Sequence, residues 1–414
     1  MTLLMLLAAL QSGPDTLRLT ATEALQRALG QAGPVQAAAA RERAAQAGIR
    51  NARAWYNPVF NATAENIGAQ EQVTGKSGLE GLEGQVTLQQ LFTLGGDRGA
   101  AVREAEALAG AAGAGAAAAR ADAVVGAVAA MAIATRDARV ARHSMEEAAT
   151  LDQLARAMTR RADEGRSSGG EAARVRLELA TMRSLAARRG AVAAESQAEL
   201  ARRLGAPPGQ PIAIVWPACT AAPAEPPVDS LPPDLLQARF NVEAARATAD
   251  RARAARVPDI APMAGLRRTA GYSGLLLGLS MELPLLRSGA AAEESARFQA
   301  DAAEALRVDL ERRTTAQRAG ADAALASLAQ AAPAFDATLL SDLERAVRAQ
   351  QTRIEQGEGT IAELLDARRA RVNTLNEYAE WRAMRAELRA RRARLAGRPV
   401  DAQVLCEDLD LEIR

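Results

Sequence analysis

The chain has 414 residues, enough for two or three ordinary domains; 49% are hydrophobic but only 3% are aromatic. Ala, Arg, Glu, Leu and Gln dominate, a mixture that favours long helices packed through small side chains over a compact enzyme core. The 51 basic and 50 acidic residues nearly cancel and are interleaved, with Lys76 the only lysine, which excludes a basic face for nucleic acid.

Residues 1–12 read as a signal peptide, because Leu3 to Leu10 form a short apolar run ahead of Gln11-Ser12-Gly13-Pro14, although no Lys or Arg precedes it. No later stretch offers the ~20 uncharged apolar residues of a spanning helix, and the Ala-rich run from Ala105 to Ala119 is closed by Arg120 and Asp122. A membrane crossing would have to be made by strands.

Beyond the signal peptide, the chain is one unit written twice. Arg53 to Pro58 (RAWYNP) matches Arg253 to Pro258 (RAARVP) at an offset of 200, and Arg161, Gly165, Glu171, Arg176 and Gly205 fall on Arg353, Gly357, Glu363, Arg368 and Gly397 at an offset of 192. Repeat 1 (16–205) reads as a helix (20–54), a hairpin (58–92), a long helix (96–164) and a return helix (171–204). A Pro-rich linker (206–232) leads to repeat 2 (233–397): helix 234–256, hairpin 258–285, long helix 289–356 with a kink at Pro333, return helix 361–396. A tail (398–414) closes the chain. The expected class is mainly α with a small β part.

Within the hairpins apolar residues alternate. Phe60, Ala62 and Ala64, then Val86, Leu88 and Phe92, then Ile260, Pro262, Ala264 and Leu266, then Leu275, Leu277, Leu279, Met281 and Leu283 each occupy one parity of their strand. Strands in a membrane must close into a barrel, and four cannot. Three chains would supply twelve, wide enough for a passage. Each long helix is about 100 Å at 1.5 Å per residue. The two shorter helices of repeat 1 together equal its long one, so they are expected to stack end to end beside it, with chain ends and linker halfway along.

NPVFNATAEN (Asn57 to Asn66), TLQQLFTLGGDRG (Thr87 to Gly99), LSMELPLLRSG (Leu279 to Gly289) and GEGTIAELLDARRARV (Gly357 to Val372) together resemble the TolC-like outer-membrane efflux proteins. The resemblance covers nearly the whole chain and is closest to the CzcC/CusC heavy-metal branch. It implies a homotrimer, with a twelve-stranded barrel in outer-membrane lipid continued by a periplasmic helical tunnel. It also implies a periplasmic adaptor and an inner-membrane pump of RND type as partners. Many such proteins carry a lipidated Cys after the signal; none lies near this N-terminus.

Glu363 and Asp366 lie one helical turn apart and match the family's acidic entrance ring, where stacked carboxylates favour cations. The first copy keeps Glu171 but has Arg174 at the position of Asp366, where it would pair with an acid and hold the tunnel shut. The tips, Gly165, Arg166, Ser167 and Ser168 in one copy and Gly357, Glu358, Gly359 and Thr360 in the other, are expected to dock the adaptor as well as cap their helices. Cys219 and Cys406 are candidates for a disulfide. His143 reads as a helix-surface residue and the scattered methionines, Met131, Met145 and Met158 among them, as core. No phosphate loop, nucleophile elbow or Cys/His cluster occurs, so no enzyme activity, cofactor or metal site is expected. The expected function is a passive exit duct, with heavy-metal cations as cargo. A duct for drugs, small organic compounds or secreted proteins shares the fold, and a soluble coiled-coil scaffold is the reading of a different class.

Overall fold

The computed structural model describes residues 16–65, 83–215, 230–269, 272–283, 289–335 and 337–400. The expected signal peptide, Cys219 and Cys406 lie outside the described residues. The chain divides into two units, each assembled from separated segments: one from residues 1–36, 117–232 and 313–414, the other from 37–116 and 233–312.

The first unit begins with β1 (Leu17–Thr20) and α1 (Ala21–Gln31). Thr20 and Glu23 form a capping box, each satisfying the other's backbone N–H, so the strand turns directly into the helix. β1 pairs in parallel with β4 (Ile212–Val215), Leu17 opposite Ile212. Their buried Leu19 and Ile212 meet Leu25 of α1 and residues 127–134 of α3 (Asp97–Asp163). Leu200 and Leu204 at the end of α4 (Gly169–Arg203), and Ala383, Ala386 and Ala390 of α8 (Ile361–Leu395), complete this core. Alanine dominates it because helices packed this closely leave room for little more than a methyl group. One stretch of α3 is long and apolar enough to cross a bilayer by length and composition, but 39% of that stretch is buried within the chain.

The second unit contains α2 (Gly33–Arg53), β2 (Val59–Glu65), β3 (Glu83–Gln89), α5 (Pro233–Ala254), β5 (Ile260–Thr269), β6 (Tyr272–Met281) and the start of α6 (Ala290–Ala331). Residues 97–116 of α3 pack on α5 so tightly that a Cβ on Gly110 would fall 2.7 Å from the Phe240 ring. Arg251 of α5 reaches both Asp97 (3.0 Å) and Glu104 (3.5 Å) of α3.

Three expected elements are divided differently. The stretch 20–54 opens with the end of β1 and breaks at Ala32, whose N–H bonds the Ala28 carbonyl while its own ψ turns extended. The linker 206–232 is not wholly irregular, since it contains β4. The long helix 289–356 is interrupted rather than bent: α6 stops at Ala331, a 3₁₀ turn spans Ala332–Phe335, and α7 runs Ala337–Glu355. Pro333 has no N–H to donate to the preceding turn. Beside this break the Leu328 carbonyl also accepts from the Trp381 indole at 3.1 Å, and Phe335, Tyr378 and Trp381 gather there with centroids 5.6–6.2 Å apart.

Candidate functional site: the apolar sheet face and the hairpin tips

Two features of this chain are positioned to act on something outside it. The first is the sheet. Its order is β2-β3-β5-β6, antiparallel throughout, so β2 and β6 are its edges. Directly opposed residues lie on the same face, and the register aligns the apolar parities of all four strands. Phe60, Leu88, Ala264 and Leu277 form one row; Ala62, Val86, Leu266 and Leu275 form the next. In the other direction come Pro262 and Leu279, then Phe92, Ile260 and Met281. Gln90 N–H donates to the Pro262 carbonyl, but the reciprocal bond is impossible because proline carries no N–H. The Gln90 amide is itself taken up by the Tyr56 and Leu91 carbonyls, which removes the one polar group from this stretch of the face.

These side chains are open. Phe60, Leu266, Leu275, Leu277 and Leu279 are each 65–72% exposed, an apolar area far beyond what single surface residues present. The opposite face carries the polar Asn61, Thr63, Glu65, Gln85, Gln89, Arg267 and Ser280, interspersed with Val59, Ala261, Met263, Tyr272 and Leu276.

The second feature is the pair of helix-hairpin tips, which share one core. Leu151 and Met158 of α3, Val175 and Leu179 of α4, and Ile361 and Leu365 of α8 pack together, all but buried. On that base the chain builds the same turn twice. Gly165 (φ 72°) and Gly357 (φ 83°) adopt the left-handed conformation that glycine alone enters without a Cβ penalty. In each tip a backbone N–H reaches back five residues, Arg166 to Arg161 at 2.7 Å and Glu358 to Arg353 at 2.9 Å. Ser168 and Thr360 then cap the returning helices, bonded to the N–H of Glu171 (3.2 Å) and Glu363 (3.3 Å).

Glu171 and Glu363, expected at an entrance, are thus the acidic halves of capping boxes, reaching the N–H of Ser168 (3.3 Å) and Thr360 (3.4 Å). Glu363 lies in addition 3.6 Å from Arg353. Asp366, its side chain 69% exposed, sits 3.2 Å from Arg369, and Arg369 also forks onto Glu178 of α4. Those hydrogen bonds hold the Glu178 carboxyl below the usual carboxylate range against the opposing effect of burial. Arg174 is exposed and forms no ion pair among the described residues. Around the second tip, Arg353 also donates to the Glu358 carbonyl at 3.3 Å, while Gly359 N–H returns to Arg353. At the first, Arg166 pairs with Glu164 at 2.8 Å and the half-buried Ser167 hydroxyl has no partner.

Sequence reasoning missed a polar layer above the tips. Glu147 of α3 is almost wholly buried and faces Arg368 (3.4 Å) and Arg371 (4.0 Å) of α8. Arg371 also holds Glu344 of α7 at 2.6 Å. Ser144, fully buried, accepts from Arg189 at 2.8 Å. His143 is half-buried rather than on the surface: its Nδ1 is shielded without a partner, and burial pushes its pKa down. The signal was present in the spacing of His143, Ser144 and Glu147, which puts all three on the helix face that carries Leu151. Met131 and Met158 are core, but Met145 is 54% exposed. Among the described residues no group of His, Cys, Asp and Glu could hold a metal ion.

Residues 230–398 match the Outer membrane efflux protein family. Over 283 residues the chain is 29% identical to the nickel-cobalt-cadmium resistance protein NccC of Alcaligenes xylosoxydans xylosoxydans, covering 63% of this chain; it spans 60% of the length of that curated relative. The fold is that of solved outer-membrane channels. The outer membrane protein VceC of Vibrio cholerae superposes with a TM-score of 0.73 at 19% identity over 92% of this chain and 96% of its own. CusC gives 0.75 at 17% over 91% of each. The CmeC outer membrane channel of Campylobacter jejuni gives 0.77 at 15% over 95% and 90%.

Proposed function

We propose that this chain, with an outer-membrane efflux signature over its second repeat and the fold of the solved outer-membrane channels, is one of three identical subunits of an outer-membrane exit duct. The observation that carries this reading is the single apolar face shared by β2, β3, β5 and β6. From Leu275 to Met281 it runs about 20 Å along the strand, or about 15 Å across the membrane at a tilt near 40°, before the aromatic side chains that continue it are counted. That is the greater part of the ~25 Å apolar band of outer-membrane barrels. Three sheets joined β6 to β2 give twelve strands, with the face of Asn61, Thr63 and Gln85 toward the passage.

The duct is passive and does no chemistry. Its helices stand in the periplasm, and the two tips take a periplasmic adaptor, which couples the duct to an inner-membrane pump of RND type. Asp366 and Glu363 ring the entrance and draw cations, with Glu171 and Arg174 of the first repeat between them. Heavy-metal cations are the cargo; the support is the likeness to NccC together with this acidic ring.

Membrane fractionation tests the duct: a heat-sensitive oligomer in the outer membrane is expected, and recovery of soluble protein without detergent would overturn it. Challenge of a deletion strain with nickel, cobalt, cadmium and dyes tests the cargo. Sensitivity to dyes alone would remove the metal assignment and leave the duct standing. Glu363→Ala with Asp366→Ala is expected to lower cation selectivity in planar bilayers, and unchanged selectivity would take these carboxylates out of the mechanism.

A further inference from the structure

At the end nearest the helices, the apolar face of the sheet is continued by side chains from outside it. Trp55, in the segment that joins α2 to β2, stands edge-on to Phe92 with ring centroids 6.1 Å apart. Phe92 pairs with Ile260 and shares the face of Met281, so Trp55 prolongs that face and not the opposite one. Arg98, in the first turn of α3, lies over the indole with its guanidinium carbon 4.2 Å from the ring centroid. The same guanidinium donates to the Arg53 carbonyl at 2.8 Å, and no carboxylate pairs with it among the described residues. Tyr56 is held through its own carbonyl by the Gln90 amide at 2.9 Å.

Trp55 is 64% exposed and Tyr56 48%. Neither the indole N–H nor the phenol O–H has a partner among the described residues. An unneutralised cation therefore lies on a ring with an unused donor where an apolar face ends, and the next residue in the chain, Tyr56, offers a second. The other end of the face offers no such arrangement among the described residues: Arg268, in the row with Gly84 and Ser273, has no aromatic ring in its row.

We propose that Arg98, Trp55 and Tyr56 form a binding site for the phosphodiester headgroup of a membrane phospholipid in the leaflet on the helical side. The proposal rests on the reading of the apolar face as lipid-facing. Amphipathic rings settle at the headgroup level, with the apolar body toward the chains and the polar edge toward water. A planar guanidinium matches two phosphate oxygens at once, and here the indole and the Arg53 carbonyl fix its plane before any lipid arrives. A carboxylate partner would have cancelled the attraction. The site would set the depth at which each subunit sits and tie the first turn of α3 to the membrane surface.

The test uses the full-length protein, measuring retention of phosphatidylglycerol by native mass spectrometry. Arg98→Gln is expected to weaken retention at least tenfold, since a charge-assisted hydrogen bond is removed. Tyr56→Phe, which deletes one hydroxyl and no packing, is expected to weaken it about threefold. In parallel, the protein is reconstituted with phospholipid brominated near the headgroup, and the fluorescence of wild type is compared with that of Trp55→Phe. Quenching of the Trp55 component is expected. Quenching with retention unchanged in both Arg98→Gln and Tyr56→Phe would overturn the headgroup site and leave the lipid-facing sheet intact. Absence of quenching would overturn the lipid-facing reading and the site with it. Displacement of the lipid by an equal concentration of inorganic phosphate would overturn the assignment to lipid.

Discussion

Placing a charge on each face of the sheet in turn separates a lipid-facing surface from a merely exposed one. Leu277 lies in the middle row of the apolar face, opposite Ala264, and is 70% exposed in the isolated chain. If water covered it, Leu277→Arg would change stability by less than about 0.5 kcal/mol, as surface substitutions do. If lipid covers it, the midplane cost of about 2–4 kcal/mol applies, equivalent to a 30- to 1,000-fold loss in the folded population of each subunit. Asn61 is the control: it pairs with Thr87 on the opposite face at nearly the same height, and Asn61→Arg should stay within about 1 kcal/mol. The assay is the yield of heat-sensitive oligomer in the outer membrane, followed by urea unfolding in vesicles. Wild-type assembly of Leu277→Arg, or an equal loss in Asn61→Arg, would refute the assignment of faces.

The cap residues make a sharper local prediction: Ser168→Ala and Thr360→Ala each remove a capping box at a cost of about 1 kcal/mol, seen as roughly fivefold faster amide exchange at the affected tip. Acid sensitivity tests Glu178. Because Arg369 holds its folded pKa down, the stabilisation is whole above the unfolded carboxylate value of about 4.3 and fades as pH falls through the lowered one. Arg369→Gln should therefore cost about 1 kcal/mol at neutral pH and flatten the acid limb of the unfolding midpoint; an unchanged limb would assign that limb to other carboxylates. Trp381→Phe removes the indole hydrogen bond to the Leu328 carbonyl beside the helix break and is expected to lower stability by about 1 kcal/mol in a denaturant titration.

The hairpins were legible in the sequence because the pleat has a period of two, so Phe60, Val86, Leu266 and Leu277 each announce a face one strand at a time. Which face of one strand meets which face of the next depends on register, a pairing between residues some 180 positions apart in the case of Val86 and Leu266. Pro333 was equally readable as a disturbance, but whether it bends or divides a helix depends on its distant surroundings, where Trp381 bonds the Leu328 carbonyl and packs with Phe335. β1 and β4 were not readable: four residues each, one lying against an amphipathic helix and the other inside a proline-rich stretch, they show too little alternation to stand out. At the tips, the pattern Ser/Thr-x-x-Glu at Ser168 and Thr360 signals a capping box without any structure. It assigns Glu171 and Glu363 a local task as well as the entrance role proposed for them. The deeper layer of Glu147, Ser144 and Arg368 was marked only by the spacing that sets His143, Ser144 and Glu147 on the face of Leu151, because in a chain so rich in arginine charge itself gives no hint of burial.

In the trimer proposed above, the two edges of the sheet turn folding into a problem of population. A lone subunit can complete its helices, but β2 and β6 keep rows of free N–H and C=O groups that invite any passing strand. Stability then depends on how many copies are nearby, and has no single value for one chain. At low abundance the search for companions is slow, so sticky intermediates persist. A copy unable to present either edge would spoil every ring it entered. Expression level and membrane crowding thereby become determinants of whether this sequence reaches its final state at all.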